Sequence, residues 1–359
     1  MTLNPTSRPT RSAIAQARIW LQRNLFSSVW NSLLTIILLV LITGAGSHVL
    51  RWVTTQAQWT VVTTNLRLFL VGRYPVDQVW RIWAALAIVL AMAGYGLIAG
   101  RRQKMTSDFR GVKTLRSLIA NPYVLLPIAL LLIFWLLGGS FGLARVPTNL
   151  WGGLLLTLIV AMSSTVLAFP LGVLLALGRQ SSLPVLQGFC TAYIELIRGL
   201  PLIGILFMAQ VMLPLVLPGQ PNLDRVVRAI AGLVLFNAAY QAENVRGGLQ
   251  SIPRGQMEAA RALGLNWVLT LSLVVLPQAI RIAIPAIVGQ FISLFKDTSL
   301  LALFALLELT GIARSILAQP QFLGRYAEVY LFVGLLYWIF CYTLSTVSRR
   351  IEATGLQRK

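Results

Sequence analysis

Acidic side chains are scarce in this chain: ten Asp and Glu stand against thirty Lys and Arg, and charged residues of both signs make up only 11% of its 359 positions. Soluble domains carry about a quarter charged residues, so the soluble globular class is excluded, and with it the usual conversion of length into domain number. The one histidine, His48, closes an apolar run and reads as an interfacial residue rather than a ligand. Cys190 and Cys341 lie far apart in apolar sequence, which provides neither a disulfide framework nor a metal-ligand spacing. Lysine occurs only at 104, 113, 296 and 359, never inside a G-x-x-x-x-G-K-[ST] phosphate loop, so the chain cannot itself be an ATPase. No nucleophile motif or catalytic pair of carboxylates is present, and no catalytic residue, metal or cofactor is expected. Residues 1–26 are polar and basic, and no small-residue cleavage site comes after a brief apolar core, so the first apolar run is read as an uncleaved span.

The chain is rich instead in apolar sequence: 57% of its residues are hydrophobic. Its charge of +20 lies in short clusters between apolar runs, with no stripe along a soluble domain, which favours a membrane over a nucleic acid. A bilayer takes about 20 apolar residues per helix, and the pattern predicts an all-α membrane protein of about eight spans. These cover about 28–50, 79–99, 123–143, 150–177, part of 185–217, 226–246, 280–295 and 327–347. The fifth is interrupted at Arg198-Gly199-Leu200-Pro201, as an interfacial helix leading into a span or as one kinked span. Residues 267–277 are too short to cross and are expected along the membrane surface. The stretch 300–309 is expected to be re-entrant or interfacial. Placing both termini in the cytoplasm puts the clusters at 8–23, 101–116, 179, 246–261 and 349–359 inside, as the positive-inside rule requires.

Between spans six and seven lies the stretch that organises the rest. A short Ala-rich helix is predicted over about 253–263, with Pro253 in its first turn, Gly264 as a left-handed stop and Asn266 capping the next helix. Glu258, Ala259, Ala260, three residues, Gly264, nine residues, Val274, one residue and Leu276-Pro277 resemble the "EAA" loop of ABC-importer permeases, whose usual Ile is here Val274. Tyr193 to Pro201, Ala239-Tyr240 with Glu243, Gly255-Gln256, Leu276-Pro277-Gln278 with Arg281, and Lys296 to Leu300 are similar to the polar amino-acid branch of that family. Leu200 and Asn244 depart from it, where Thr and an apolar residue are usual. Phe69, Tyr74-Pro75 and Trp80-Arg81 resemble the longer permease of general L-amino-acid uptake systems.

The resemblance implies a type I permease core of five spans over 150–350, three extra N-terminal spans in 28–149, and cytoplasmic tails at 1–27 and 351–359. It implies a coupling loop at 247–277 in which Arg254, Gly255, Glu258, Ala259, Ala260 and Gly264 engage a cytoplasmic ABC ATPase. It further implies a second permease subunit, an extracytoplasmic solute-binding protein, location in the cell inner membrane, and import of polar or general L-amino acids. A channel, an ATP-independent carrier and a membrane-embedded enzyme are the alternatives. The first two need no loop docked on an ATPase, and the third needs convergent catalytic side chains.

Polar residues inside spans mark a pathway or a structural pair. Asn237, Gln241 and Asn244 share one helix face with Glu243 beside it, a face that should line a subunit interface or a cavity. Glu243 either meets a substrate ammonium or pairs with Arg246, Arg281 or a residue of the partner permease. Glu195 and Arg198, three apart, either pair or join the pathway, and Arg281 either joins it or snorkels to the interface. Lys296 and Asp297, at a helix end, form a structural pair or contact substrate.

Overall fold

The computed structural model describes residues 13–102, 122–216 and 223–356. Their backbone is mostly helical, and no strand occurs among the described residues beyond isolated bridges such as Gly72 with Trp151. The chain divides into two compact units at 59/60.

In the first unit, helices α1 (Ala13–Asn24) and α2 (Val29–Arg51) precede a π turn at Trp52–Gln56. Ser28 caps α2 by accepting from the Asn31 amide at 3.2 Å. The second unit begins with two short helices, α3 (Thr60–Thr64) and α4 (Leu66–Val71), succeeded by α5 (Trp80–Arg102) and α6 (Pro122–Gly138). Phe69 and Tyr74 are fully buried; the Tyr74 hydroxyl donates to the Leu137 carbonyl at 2.8 Å, and Arg81 to the Ala144 carbonyl at 2.8 Å. Three of the residues that set the chain's N-terminal half apart in sequence are thus packing and bracing groups. They knit 60–150 to the rest of the unit.

The remaining helices are α7 (Gly153–Arg179), α8 (Pro184–Gly199), α9 (Leu202–Val216) and α10 (Arg225–Gln250), then α11 (Arg254–Ala262), α12 (Leu276–Asp297), α13 (Leu309–Leu317) and α14 (Tyr326–Leu356). Helices α8 and α9 are broken by 103° at Leu200-Pro201, because proline lacks the amide that would continue the ladder. Helix α10 is the centre of the unit, packed against α7 on one side and α12 on another. Its crossing with α7 is close at Gly172, where a Cβ would stand 2.6 Å from that of Gln241.

Among the described residues four helices are long and apolar enough to cross a membrane, within Val29–Gln56, Gly153–Arg179, Trp267–Phe304 and Tyr326–Arg349, with a fifth if the bent pair α8/α9 is one span. The sequence pattern predicts eight. Helix α10 is 26 residues long but carries Asn237 and Gln241, both buried, and the half-buried Glu243, which lowers its apolarity. The stretch 267–277 is continuous with what comes after it, running through a π turn at Thr270–Val275 into α12 without a break.

Candidate functional site

Helix α11 projects from the bundle between α10 and the run into α12. Pro253 stands just before it, and every residue from Arg254 to Ala259 is exposed, whereas Ala260 is buried. The helix ends in a Schellman motif: the Gly264 amide donates to the Arg261 carbonyl at 2.9 Å and the Leu265 amide to the Ala260 carbonyl at 3.2 Å. This closure needs a left-handed residue, and Gly264 has φ +78°. Asn266 then accepts from the Leu269 amide at 2.9 Å and starts the next helix, as its position suggested. The helix packs with its buried Ala260 against the π turn, and Gln256 lies near Gln278 of α12.

Arg254, Glu258 and Arg261 form no ion pair among the described residues, so their charges are free for a partner. Sequence reasoning missed two apolar neighbours. Leu263 is 83% exposed and Met257 is also exposed, at the end and on the surface of an otherwise polar helix. An apolar knob among free charges is the composition of a protein-docking surface. The missed signal was Leu263, an apolar residue directly before the glycine stop.

The polar residues of the spans do not form one continuous face. Asn237 and Gln241 are fully buried, and none of their four side-chain polar atoms has a hydrogen-bond partner among the described residues. Asn244 instead points toward α12, with its amide 3.4 Å from the Ala286 carbonyl. Lys296 and Asp297 end α12 eleven residues beyond that contact, roughly 16 Å further along the helix. They are not brought together with Glu243.

Glu243 sits among three guanidinium groups: Arg246 at 2.7 Å, Arg179 at 3.0 Å and Arg198 at 3.6 Å. Arg179 also reaches Glu195 at 2.9 Å, and Arg198 lies over the Tyr240 ring at 5.5 Å. Arg281 is not in this cluster. Of the two roles the sequence left open for Glu243, this geometry realises the internal pair. A substrate ammonium approaching that carboxylate would meet three cations first. The cluster ties the ends of α7, α8 and α10 together beside α11.

One further titratable group lies outside the spans, in the connection before α13. Glu308 is fully buried, and its carboxylate accepts from the amides of Thr310 and Gly311, both at 2.8 Å. Burial pushes its carboxyl from the ordinary 4.5 up to about 7, against the lowering effect of those two amides. Nothing in the sequence pattern marked it.

The sequence family described as "Binding-protein-dependent transport system inner membrane component" matches residues 168–354. The chain belongs to this family. Its relatives include the inner membrane amino-acid ABC transporter permease protein YhdY of Escherichia coli K12, 41% identical over 98% of this chain and 96% of that protein. The glutamate/glutamine/aspartate/asparagine transport system permease protein BztC of Rhodobacter capsulatus is 33% identical over 96% of this chain and 95% of its own length. A solved structure described as an amino acid ABC transporter with histidines is 29% identical, with a TM-score of 0.51, over 56% of this chain and 92% of that one. A transport component of the inner membrane accords with a helical bundle that presents a short polar helix.

Proposed function

We infer that this chain is the permease subunit of an ATP-driven amino-acid importer, and that helix α11 is where a separate cytoplasmic ABC ATPase engages it. The observation that carries the reading is α11 itself: a short exposed helix held at a fixed angle by Pro253 and the left-handed Gly264, with Arg254, Glu258 and Arg261 unpaired. Arg254, Gly255, Glu258, Ala259, Ala260 and Gly264 are the coupling residues, with Met257 and Leu263 as apolar contacts. Amino acids as substrates are supported by the names of YhdY and BztC, each matched over nearly its whole length. An extracytoplasmic solute-binding protein delivers the substrate, and a second permease completes a heterodimer.

In this reading the chain has eight spans, adding α5, α6 and α10 to the five membrane-length segments, with both termini cytoplasmic. The basic clusters then lie inside, together with α11 and the Glu243 cluster. Residues 1–27 and 351–359 form cytoplasmic tails, 28–149 the additional spans and 150–350 the permease core. Asn237 and Gln241 belong to the substrate pathway. A buried amide without a partner costs about 1–3 kcal/mol, so these groups gain partners when α7 and α10 move apart, and a polar substrate can supply them. Asn244, with a single long contact, flanks this pair. Glu243 braces the cytoplasmic end of the pathway, while Lys296 and Asp297 stand at its opposite end.

The test is uptake into proteoliposomes holding the chain with its partner subunits, comparing an active ATPase with a hydrolysis-dead one. Amino-acid uptake should require hydrolysis. Uptake that persists without it would point to a carrier or a channel instead.

A further inference from the structure

At the end of the bundle opposite α11, helix α9, the start of α10 and the 3-10 turn at Thr298–Phe304 surround an open cavity of about 730 Å³. One wall is a stripe along α9. Ile203, Phe207, Val211 and Pro214 succeed one another along α9, through its π turn at Met208–Met212, and line the same cavity. The stripe is about 16 Å long at helical rise. Ile203, Phe207 and Val211 are each exposed, and Leu303 across the cavity is 50% exposed. Such a wall is a poor lining for a permeating polar solute.

The polar groups collect at one end. Arg225 and Arg228 lie in the first turn of α10, where the helix dipole disfavours cations. No acidic residue lines the cavity, and neither arginine makes an ion pair among the described residues. The adjacent Asp224 is committed elsewhere, to the amides of Val226 and Val227 and to the Thr148 hydroxyl. Arg228 is held in place: one nitrogen donates to the Gln210 carbonyl at 2.6 Å, while the Gln210 amide donates to the Arg225 carbonyl at 2.9 Å. Its Nε is buried without a partner among the described residues. Two cations therefore stand at one end of an apolar trough as long as much of an acyl chain, and the trough runs along a helix of the bundle.

An amino acid would bring an ammonium that finds no carboxylate here. A phospholipid brings an anion and a chain in the order the cavity presents them. We propose that this cavity binds an anionic glycerophospholipid, with its phosphate between Arg225 and Arg228 and an acyl chain along Ile203, Phe207, Val211 and Pro214. The site goes beyond the transport reading and requires only that the chain lie in a bilayer.

The test is lipid retention by the importer purified with its partner subunits from membranes supplemented with phosphatidylglycerol, read by native mass spectrometry. Each basic residue near an anionic surface is worth about 1 kcal/mol. Arg225→Gln with Arg228→Gln should therefore lower phosphatidylglycerol retention about 10- to 30-fold, while Arg228→Lys keeps most of it. Val211→Trp, which fills the trough and leaves both charges, should also displace the lipid. Should the double variant fail to assemble, the exposed Arg225→Gln alone and Val211→Trp decide the matter. Unchanged retention in those variants would overturn the proposal, as would displacement of the lipid by inorganic phosphate or a free amino acid at equal concentration. A photoreactive residue at Leu303 should label lipid. Labelling of the second permease instead would make the cavity a subunit contact and overturn the proposal. None of these readouts depends on transport, so they separate this site from the proposed function.

Discussion

Replacing Gly264 by valine should uncouple the chain from its ATPase while leaving it folded and inserted. A Cβ at Gly264 would have nothing within 4 Å, so the site has room for a side chain to begin. The cost is confined to the backbone, which must hold φ near +78° for the two terminal hydrogen bonds of α11 to form. A left-handed conformation costs an ordinary L-residue about 1–2 kcal/mol, and a β-branched one more. Since about 1.4 kcal/mol is a factor of ten, the ratio of correctly angled α11 to its alternatives should fall by at least about 5- to 30-fold. The measurement is ATPase recovered with the purified chain, alongside uptake rate and membrane abundance. Both coupling readouts should drop for Gly264→Val, drop less for Gly264→Ala, and stay near the original for Gly264→Asn, because asparagine tolerates the left-handed region. Normal uptake and normal ATPase recovery by Gly264→Val would refute the assignment of α11 as the coupling element. An equal loss for Asn and Val would refute the backbone argument behind it.

The geometry sets three further outcomes. Asn237→Leu should leave stability unchanged or raise it by about 1 kcal/mol, since it removes two unpartnered buried groups, yet should reduce uptake; retained uptake would remove Asn237 from the pathway. Glu243→Gln leaves three guanidinium groups without their shared carboxylate, so membrane abundance should fall several-fold; normal abundance with lost uptake would restore a direct substrate role. Glu308 is raised in the folded chain, so its favourable contribution is complete below about pH 4.5 and is lost as pH rises through about 7. The loss amounts to about 3 kcal/mol for a shift of this size. Thermal melting of the purified importer between those pH values should show a decline that Glu308→Gln, which keeps an N-cap acceptor, flattens. An equally steep decline in the variant would contradict this origin.

Much of the framework was legible because helix signals are local. Pro253, Gly264 and Asn266 each mark a boundary through their own backbone preferences, and the structure places them within a residue of where those preferences put them. The break at Leu200-Pro201 was legible for the same reason. Interior contacts were not. Spacing places Asn237, Gln241 and Asn244 on one face of α10, but it carries no information about which neighbour covers each. That depends on Gly172 letting α7 approach Gln241 and on α12 reaching Asn244. The π turn at Thr270–Val275 was also hidden, because an apolar stretch too short to cross reads the same whether it ends or continues. Glu308 escaped notice since its burial is set by α7 and α14, both remote in sequence.

The most direct measurement of the central claim is site-specific photocross-linking from the surface of α11. A photoreactive residue at Met257 or Glu258, in an importer that still takes up amino acids with ATP, should cross-link to the ATPase subunit. The same group at an exposed position away from α11, such as Leu323, should not. Full ATP-driven uptake with no cross-link from either position of α11 would contradict the account.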